Sequence, residues 1–120
     1  MDKKSILVVD DSRVSRMMIR AFILEQRPDW LIQEAANGEE ALLRVGENPP
    51  DYVTMDMNMP GVDGIETAER IRQIAPATRI VLLTANVQDS ARQKAQGLDI
   101  AFVAKPITAD SIQQVLAFLA

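Results

Sequence analysis

The chain has 120 residues and a formal net charge of −4, with 48% hydrophobic and 25% charged residues. This size and composition are typical of one globular domain with a buried core. The mild acidity and the lack of a Lys/Arg block argue against direct binding of nucleic acid. The sequence contains no Cys and no His, which excludes disulfides, thiolate or imidazole metal sites and a phosphohistidine.

Five short apolar runs, separated by amphipathic stretches, predict five strands. In chain order they are residues 6–9, 30–35, 52–55, 80–84 and 100–104. The first run is too short for a signal peptide or a membrane span, so we expect a cytoplasmic protein without membrane insertion. The first and fourth runs are almost continuously apolar, which is typical of parallel strands covered on both faces. Gln33 and Glu34 interrupt the second run, which favours an edge strand.

The stretches that follow the runs predict five helices. In the first, an apolar stripe spaced i, i+3, i+4, i+7 predicts the buried face, and three arginines opposite it predict a solvated face. The stripe is Val14, Met17, Met18 and Ala21, and the arginines are Arg13, Arg16 and Arg20. Ser12 or Asp11 can cap this helix. The later stripes are Ala41, Leu42 and Val45; Ile65, Ala68, Ile71 and Ala75; Ala91 and Ala95 in a mostly polar helix over 89–96; and Ile112, Val115, Leu116 and Leu119.

This alternation predicts a (βα)₅ fold in a single domain over residues 1–120. Strand–helix–strand units give right-handed crossovers, a parallel sheet and helices on both of its faces. The pattern itself does not decide between a flavodoxin-like and a Rossmann-like strand order. Both place ligands beyond the carboxyl ends of the strands, so the strand ends are where chemistry is expected.

Polar residues end or directly follow four of the five predicted strands. They are Asp10-Asp11, Asp56, Thr84 and Lys105-Pro106. Because parallel strand ends lie side by side, we expect three carboxylates to share one crevice. Their mutual repulsion calls for protonation or a bound cation, and oxygen ligands alone favour Mg²⁺ over a transition metal.

A carboxylate beside a magnesium ion can act as a nucleophile toward a phosphoryl group. Asp56 is the best candidate because it follows the central strand, whereas Asp10 and Asp11 are better suited as metal ligands. Lys105 can place a positive charge on a phosphoryl oxygen, and the Thr84 hydroxyl can donate to another. These residues predict phosphoryl transfer to Asp56.

Taken together, these motifs resemble the receiver domains of bacterial response regulators, including the stand-alone chemotaxis regulators of that family. The resemblance covers essentially the whole chain. It depends on Asp10-Asp11 after a buried strand, on Asp56 opening Asp-Met-Asn-Met-Pro-Gly-Val-Asp-Gly, on Thr84-Ala85 and on Lys105-Pro106. Each motif alone is weak, but the four in this order and at these spacings are specific.

The resemblance implies a flavodoxin-like five-stranded sheet with the strand order 2-1-3-4-5. It also implies site roles. Asp56 accepts a phosphoryl group from a histidine kinase, Asp11 binds Mg²⁺ directly, Asp10 acts through water, and the backbone carbonyl of Asn58 completes the ligands. Lys105 pairs with the phosphoryl group, Thr84 moves toward it and Phe102 turns inward behind it.

Further implications of the resemblance concern partners and turnover. The surface formed by the fourth helix, the fifth strand and the fifth helix changes and meets a downstream protein target or an attached output domain. Family members can also form homodimers on phosphorylation. Such a chain is a phosphoacceptor that assists its own phosphorylation and slow dephosphorylation, and it is not a conventional enzyme.

Three alternatives remain open on the sequence. A degenerate receiver would only bind partners, and it is favoured by loss of the acceptor or the lysine, both of which are present. A haloacid-dehalogenase-type phosphatase needs an acidic residue two positions after the nucleophile, where this chain has Asn58. A flavodoxin needs a Ser/Thr/Gly-rich phosphate loop after the first strand, where Asp10-Asp11 would repel the phosphate.

Overall fold

Five parallel strands form one sheet in the computed structural model, which describes residues 4–57, 64–84, 100–104 and 107–119. The strands are β1 (Ser5–Val9), β2 (Leu31–Ala35), β3 (Tyr52–Asp56), β4 (Arg79–Thr84) and β5 (Ala101–Ala104). Their order is β2-β1-β3-β4-β5. This is the flavodoxin-like order that the resemblance implies, and it settles the choice that the hydrophobic pattern left open.

Within the described residues, four helices connect or follow these strands. They are α1 (Arg13–Gln26), α2 (Gly38–Glu47), α3 (Gly64–Ile74) and α4 (Ala109–Leu119), the last of which is the predicted fifth helix. The predicted fourth helix over 89–96 lies outside the described residues. Among those described, no helix has both the length and the apolar character needed to cross a membrane.

The alternation of side chains along each strand builds a core on both faces of the sheet. In β1, Ile6 and Val8 face one layer and Leu7 and Val9 face the other, and all four are buried. The first layer is closed by α1 and α4 through Ile19, Ile23, Ile112, Val115 and Leu116. The second is closed by α2 and α3 through Ala41, Val45, Ile65, Ala68 and Ile71. Two covered faces explain why the central strands are continuously apolar.

The predicted apolar stripes of three helices are confirmed. In α2, Ala41 and Val45 are buried and Leu42 packs partly buried against the core. All four residues of the α3 stripe are buried, as are Ile112, Val115 and Leu116 of α4. The side chain of Leu119, the fourth residue of the predicted α4 stripe, lies outside the described part of the structure. The edge position of β2 is confirmed as well, since among the described strands it pairs with β1 alone and Leu31 is exposed.

The predicted buried face of α1 is wrong. Val14 and Met17 are 66% and 58% exposed, and the buried residues of this helix are Ile19 and Ile23. The two sets of residues lie on opposite sides of the helix, and each satisfies the helical period. As a consequence, Arg16, expected on a solvated face, is half-buried beside the sheet.

Local capping explains where the helices begin. Ser12 is the N-cap of α1, and its hydroxyl accepts a hydrogen bond from the Ser15 amide at 3.2 Å. Thr108 precedes α4, and its hydroxyl accepts from the Ser111 amide at 3.1 Å. The cap at Ser12 agrees with the sequence prediction, and in both helices the capping side chain satisfies an amide that the first turn leaves unpaired.

Substitutions in α1 distinguish the two faces. We expect Ile19→Ala to lower the free energy of unfolding by about 2–5 kcal/mol, because a fully buried side chain leaves a cavity. Met17→Ala should change it by about 0.5 kcal/mol or less, because most of its side chain is in water. Urea unfolding followed by circular dichroism measures both, and a larger loss for Met17→Ala than for Ile19→Ala would contradict the observed orientation of the helix.

Candidate metal centre

The carboxyl ends of β1 and β3 bring three acidic side chains together. Asp10, Asp11 and Asp56 each offer a carboxylate oxygen, and these oxygens all lie within 4.8 Å of one another. The two strands are parallel neighbours, with Val9 opposite Met55. Asp10 and Asp56, which follow these residues, therefore lie at the same edge of the sheet. Asp10 and Asp56 are buried and Asp11 is exposed. The site therefore opens to solvent on the side of Asp11.

The position of Asp10 is fixed through its main chain and its carboxylate. Its amide donates to the Ala35 carbonyl at 3.1 Å, which extends the β1–β2 ladder by one residue. Its Oδ1 accepts a hydrogen bond from the Ser12 amide at 2.9 Å. Its carbonyl oxygen accepts from Nη1 of Arg16 at 2.6 Å. These contacts hold the buried acid at the start of the turn that leads into α1.

Asp56 is the last residue of the fully buried strand β3. It lies opposite Leu83 in β4, and the next amide, that of Met57, donates to the Leu83 carbonyl at 2.9 Å. The ladder thus continues past Asp56 and restricts its backbone. Gly64, the first residue of α3, lies close to this segment. A Cβ there would come within 3.2 Å of the Met57 Cα, so the lack of a side chain allows α3 to approach the end of β3.

Thr84 and Phe102 lie on the neighbouring strands. Thr84 is the buried last residue of β4 and is opposite Ala104 of β5. Phe102 is half-buried and packs against the core layer under α2 and α3. Two further predicted site residues, Asn58 and Lys105, lie outside the described residues.

The electrostatics of the cluster favour a bound cation. Two unit charges ~5 Å apart repel by on the order of 3 kcal/mol at an effective dielectric constant of 20. Three carboxylates in one crevice multiply that cost, and a divalent ion offsets it. The donor set consists of carboxylate oxygens with one open side, which fits Mg²⁺, an ion that keeps several waters and binds phosphate oxygens.

Sequence reasoning missed the connection between α1, β2 and this cluster. Nε of Arg16 donates to Oε1 of Glu34 at 3.0 Å, while Nη1 of the same guanidinium reaches Asp10. Arg20 also contacts Glu34, at 3.4 Å. In the sequence, Glu34 indicates only the polar interruption of an edge strand. A signal was present, because Arg16 falls three and seven residues before Ile19 and Ile23, on the flank of the face that those residues bury.

Removing one charge from the cluster should stabilise the metal-free protein. We expect Asp11→Asn in a chelating buffer to raise the free energy of unfolding by about 1 kcal/mol, because Asp11 is exposed and its repulsion is partly screened. Glu25→Gln, an equal charge change on the exposed side of α1, should have no comparable effect. Thermal unfolding measures this, and a lower melting temperature for Asp11→Asn would contradict the repulsion.

Comparisons with known proteins agree with this arrangement. The family model described as the response regulator receiver domain matches residues 6–117. The chemotaxis protein CheY of Bacillus subtilis is 37% identical over 112 residues, which cover 92% of each chain. A protein-glutamate methylesterase/protein-glutamine glutaminase of Syntrophomonas wolfei is 36% identical over 88% of this chain and 31% of that protein.

Among solved structures, that of the Vibrio cholerae chemotaxis protein CheY4 has a TM-score of 0.87 and covers 99% of this chain and 100% of its own. At 24% identity it supports the fold alone. The family model and the Bacillus relative each extend over nearly the whole sequence, and we conclude that the chain belongs to the response regulator receiver domains of two-component signalling.

Proposed function

We propose that this chain is a phosphorylation-dependent signalling switch that accepts a phosphoryl group from a histidine kinase on Asp56. Receiver domains act in general as phosphoacceptors with a magnesium-binding acidic pocket. The observation that carries the proposal is the cluster of Asp10, Asp11 and Asp56, whose oxygens lie within 4.8 Å of one another at the end of the central strands.

The proposed metal ligands are Asp11, Asp56 and the backbone carbonyl of Asn58, with Asp10 acting through water. A magnesium ion bound there would neutralise charge on the incoming phosphoryl group. Asp10 would orient a water that binds the metal, because its carboxylate already accepts a hydrogen bond from the Ser12 amide and is held in place by it.

In the proposed reaction, a carboxylate oxygen of Asp56 attacks the phosphorus of a phosphohistidine on the kinase. The new P–O bond forms as the P–N bond breaks, and the electron pair of that bond returns to the imidazole nitrogen. The chain contains no His, so the donor is another molecule. The rigid ladder around Asp56 supports in-line attack, because positioning supplies much of the catalysis of phosphoryl transfer.

A protein donor is supported by the surface beside the site. The exposed apolar residues Val14, Met17 and Met18 begin in the first turn of α1, directly after the acidic pair. An apolar stripe of this kind on a helix suits contact with another protein better than contact with water. The same proposal places the protein in the cytoplasm and treats residues 1–120 as one receiver domain.

Output would follow from Lys105, Thr84 and Phe102. Lys105 would pair with the new phosphoryl group, Thr84 would donate its hydroxyl to it, and Phe102 would turn inward. Phe102 is half-buried at the edge of the core, which leaves it room to change. The altered surface would comprise the predicted fourth helix, β5 and α4.

The target is either a separate protein or an attached output domain. The relatives include both arrangements, because the chain covers 92% of the Bacillus CheY and 31% of the Syntrophomonas methylesterase. Phosphorylation-dependent homodimers are a further form of output. The presence of the acceptor aspartate favours a phosphorylated switch over a degenerate binding module, and Asn58 disfavours a phosphatase.

Phosphorylation of Asp56 can be tested without the kinase. Incubation with Mg²⁺ and acetyl phosphate should add one phosphoryl group to the intact mass. Asp56→Asn and a chelator should each abolish the gain, whereas Asp29→Asn, which changes an exposed acid far along the chain, should retain it. Labelling that persists in Asp56→Asn would refute the assignment of the acceptor.

Lys105→Ala should separate phosphorylation from output. The variant should still bind Mg²⁺ and accept a phosphoryl group, because the lysine is neither the proposed nucleophile nor a proposed metal ligand. We expect most of the phosphorylation-dependent amide shifts in the NMR spectrum to be lost from β5 and α4. The same shifts in Lys105→Ala as in the unmodified protein would exclude the lysine as the link.

A further inference from the structure

We propose that Arg16 is a positioning residue for the acidic centre, a role that rests on the proposed function of that centre. Its guanidinium joins two elements of the fold. Nη1 donates to the carbonyl oxygen of Asp10 at 2.6 Å, and Nε donates to Oε1 of Glu34 at 3.0 Å. Through Arg16, the peptide that links Asp10 to Asp11 is anchored to strand β2.

The contact with the Asp10 carbonyl controls the direction of Asp11. A peptide unit is planar, so a hydrogen bond that fixes the carbonyl of Asp10 also fixes the amide of Asp11. Asp11 is exposed, and its carboxylate therefore depends on the backbone for its direction more than a buried side chain would. The Asp10 amide is held by Ala35 on the other side. Arg16 adds a further hydrogen bond that holds the turn carrying Asp10 and Asp11.

Arg16 is itself held in place by Glu34. The side chain of Arg16 is 15% exposed and that of Glu34 is 31% exposed, so the pair is shielded from water more than a surface ion pair is. A planar guanidinium can bind a carboxylate and a carbonyl at the same time in fixed directions, which a lysine ammonium cannot do. The orientation of Glu34 on β2 is thus passed to the metal-binding turn.

Charge alone would predict the opposite effect on the metal. A positive side chain close to a cation site repels Mg²⁺, so the removal of Arg16 would strengthen binding if charge were its main contribution. A positioning role predicts weaker binding, because the acids would lose their fixed spacing. The observed partner is a backbone carbonyl, and the charge of Arg16 is already matched by Glu34. This geometry favours positioning.

The test compares Arg16→Gln with Arg20→Gln in the full chain. Arg20 lies on the same helix and contacts the same Glu34, at 3.4 Å, but its side chain is 48% exposed. We expect Arg16→Gln to weaken Mg²⁺ binding about tenfold, as for outer-shell partners of metal ligands. Arg20→Gln should stay within about twofold, as for an exposed pair. Isothermal titration calorimetry with Mg²⁺ alone gives both constants.

Phosphorylation by acetyl phosphate adds a second readout. At saturating Mg²⁺, Arg16→Gln should approach the labelling of the unmodified protein, because excess metal compensates for weaker binding. If Arg16→Gln does not fold, Arg16→Lys takes its place. The lysine keeps the positive charge but cannot bind the Asp10 carbonyl and the Glu34 carboxylate at the same time in fixed directions. We therefore expect Mg²⁺ binding to weaken about threefold, which is less than the loss when an outer-shell partner is removed altogether.

Each outcome has one meaning. Unchanged or tighter Mg²⁺ binding in a folded Arg16 variant would overturn the positioning role while the unmodified protein still binds Mg²⁺ and is phosphorylated. An equal loss in Arg20→Gln would also overturn it, since loss of a contact with Glu34 would then suffice without the hydrogen bond to the Asp10 carbonyl. If the unmodified chain itself neither bound Mg²⁺ nor accepted a phosphoryl group, the proposed function would fail, and this inference with it.

Discussion

Asp10, Asp11 and Asp56 repel one another at the carboxyl ends of β1 and β3, and the packing of the sheet has to overcome that repulsion. Three carboxylate oxygens within 4.8 Å of one another would separate in a flexible chain. They stay together because β1 and β3 are paired in register and buried on both faces. The hydrophobic layers thus supply the free energy that keeps like charges together, and a bound divalent cation would relieve their repulsion.

The two central strands hold their acids by different means. Around Asp56, the strand ladder continues through Met57 to Leu83, and Gly64 lets α3 approach. Around Asp10, the chain has already turned toward α1, and side chains take over from the ladder through Ser12 and Arg16. Asp56 is therefore held by main-chain pairing, whereas the turn that carries Asp10 and Asp11 depends on side chains that a substitution can remove.

The sequence predicted those parts of the fold in which a hydrophobic pattern is compatible with one structure only. Alternating runs predicted five parallel strands, and the stripes of α2, α3 and α4 had a single apolar side. The convergence of the three acids followed from parallel strand ends. The strand order came from the resemblance, because flavodoxin-like and Rossmann-like folds share the same alternation of strands and helices.

The orientation of α1 could not be predicted in this way, because the helix has apolar residues on two sides. Met17 and Ile19 both fit a helical stripe, and tertiary packing decides which one is buried. The Arg16–Glu34 ion pair could not be predicted for the same reason, because the helical pattern places Arg16 on a solvated face. A contact between a helix and an edge strand that are far apart in the sequence produces no hydrophobic periodicity from which it could be predicted.

The position of β2 at the edge of the described sheet has a consequence for association between copies of the protein. An edge strand exposes main-chain donors and acceptors that can pair with a strand of another copy, and proteins limit this with charged side chains. Here Glu34 projects from the edge strand and is paired with Arg16 and Arg20 of α1. A second strand added at this edge would have to bury or displace those charges. The contacts that brace the acidic turn thus also disfavour edge-to-edge aggregation.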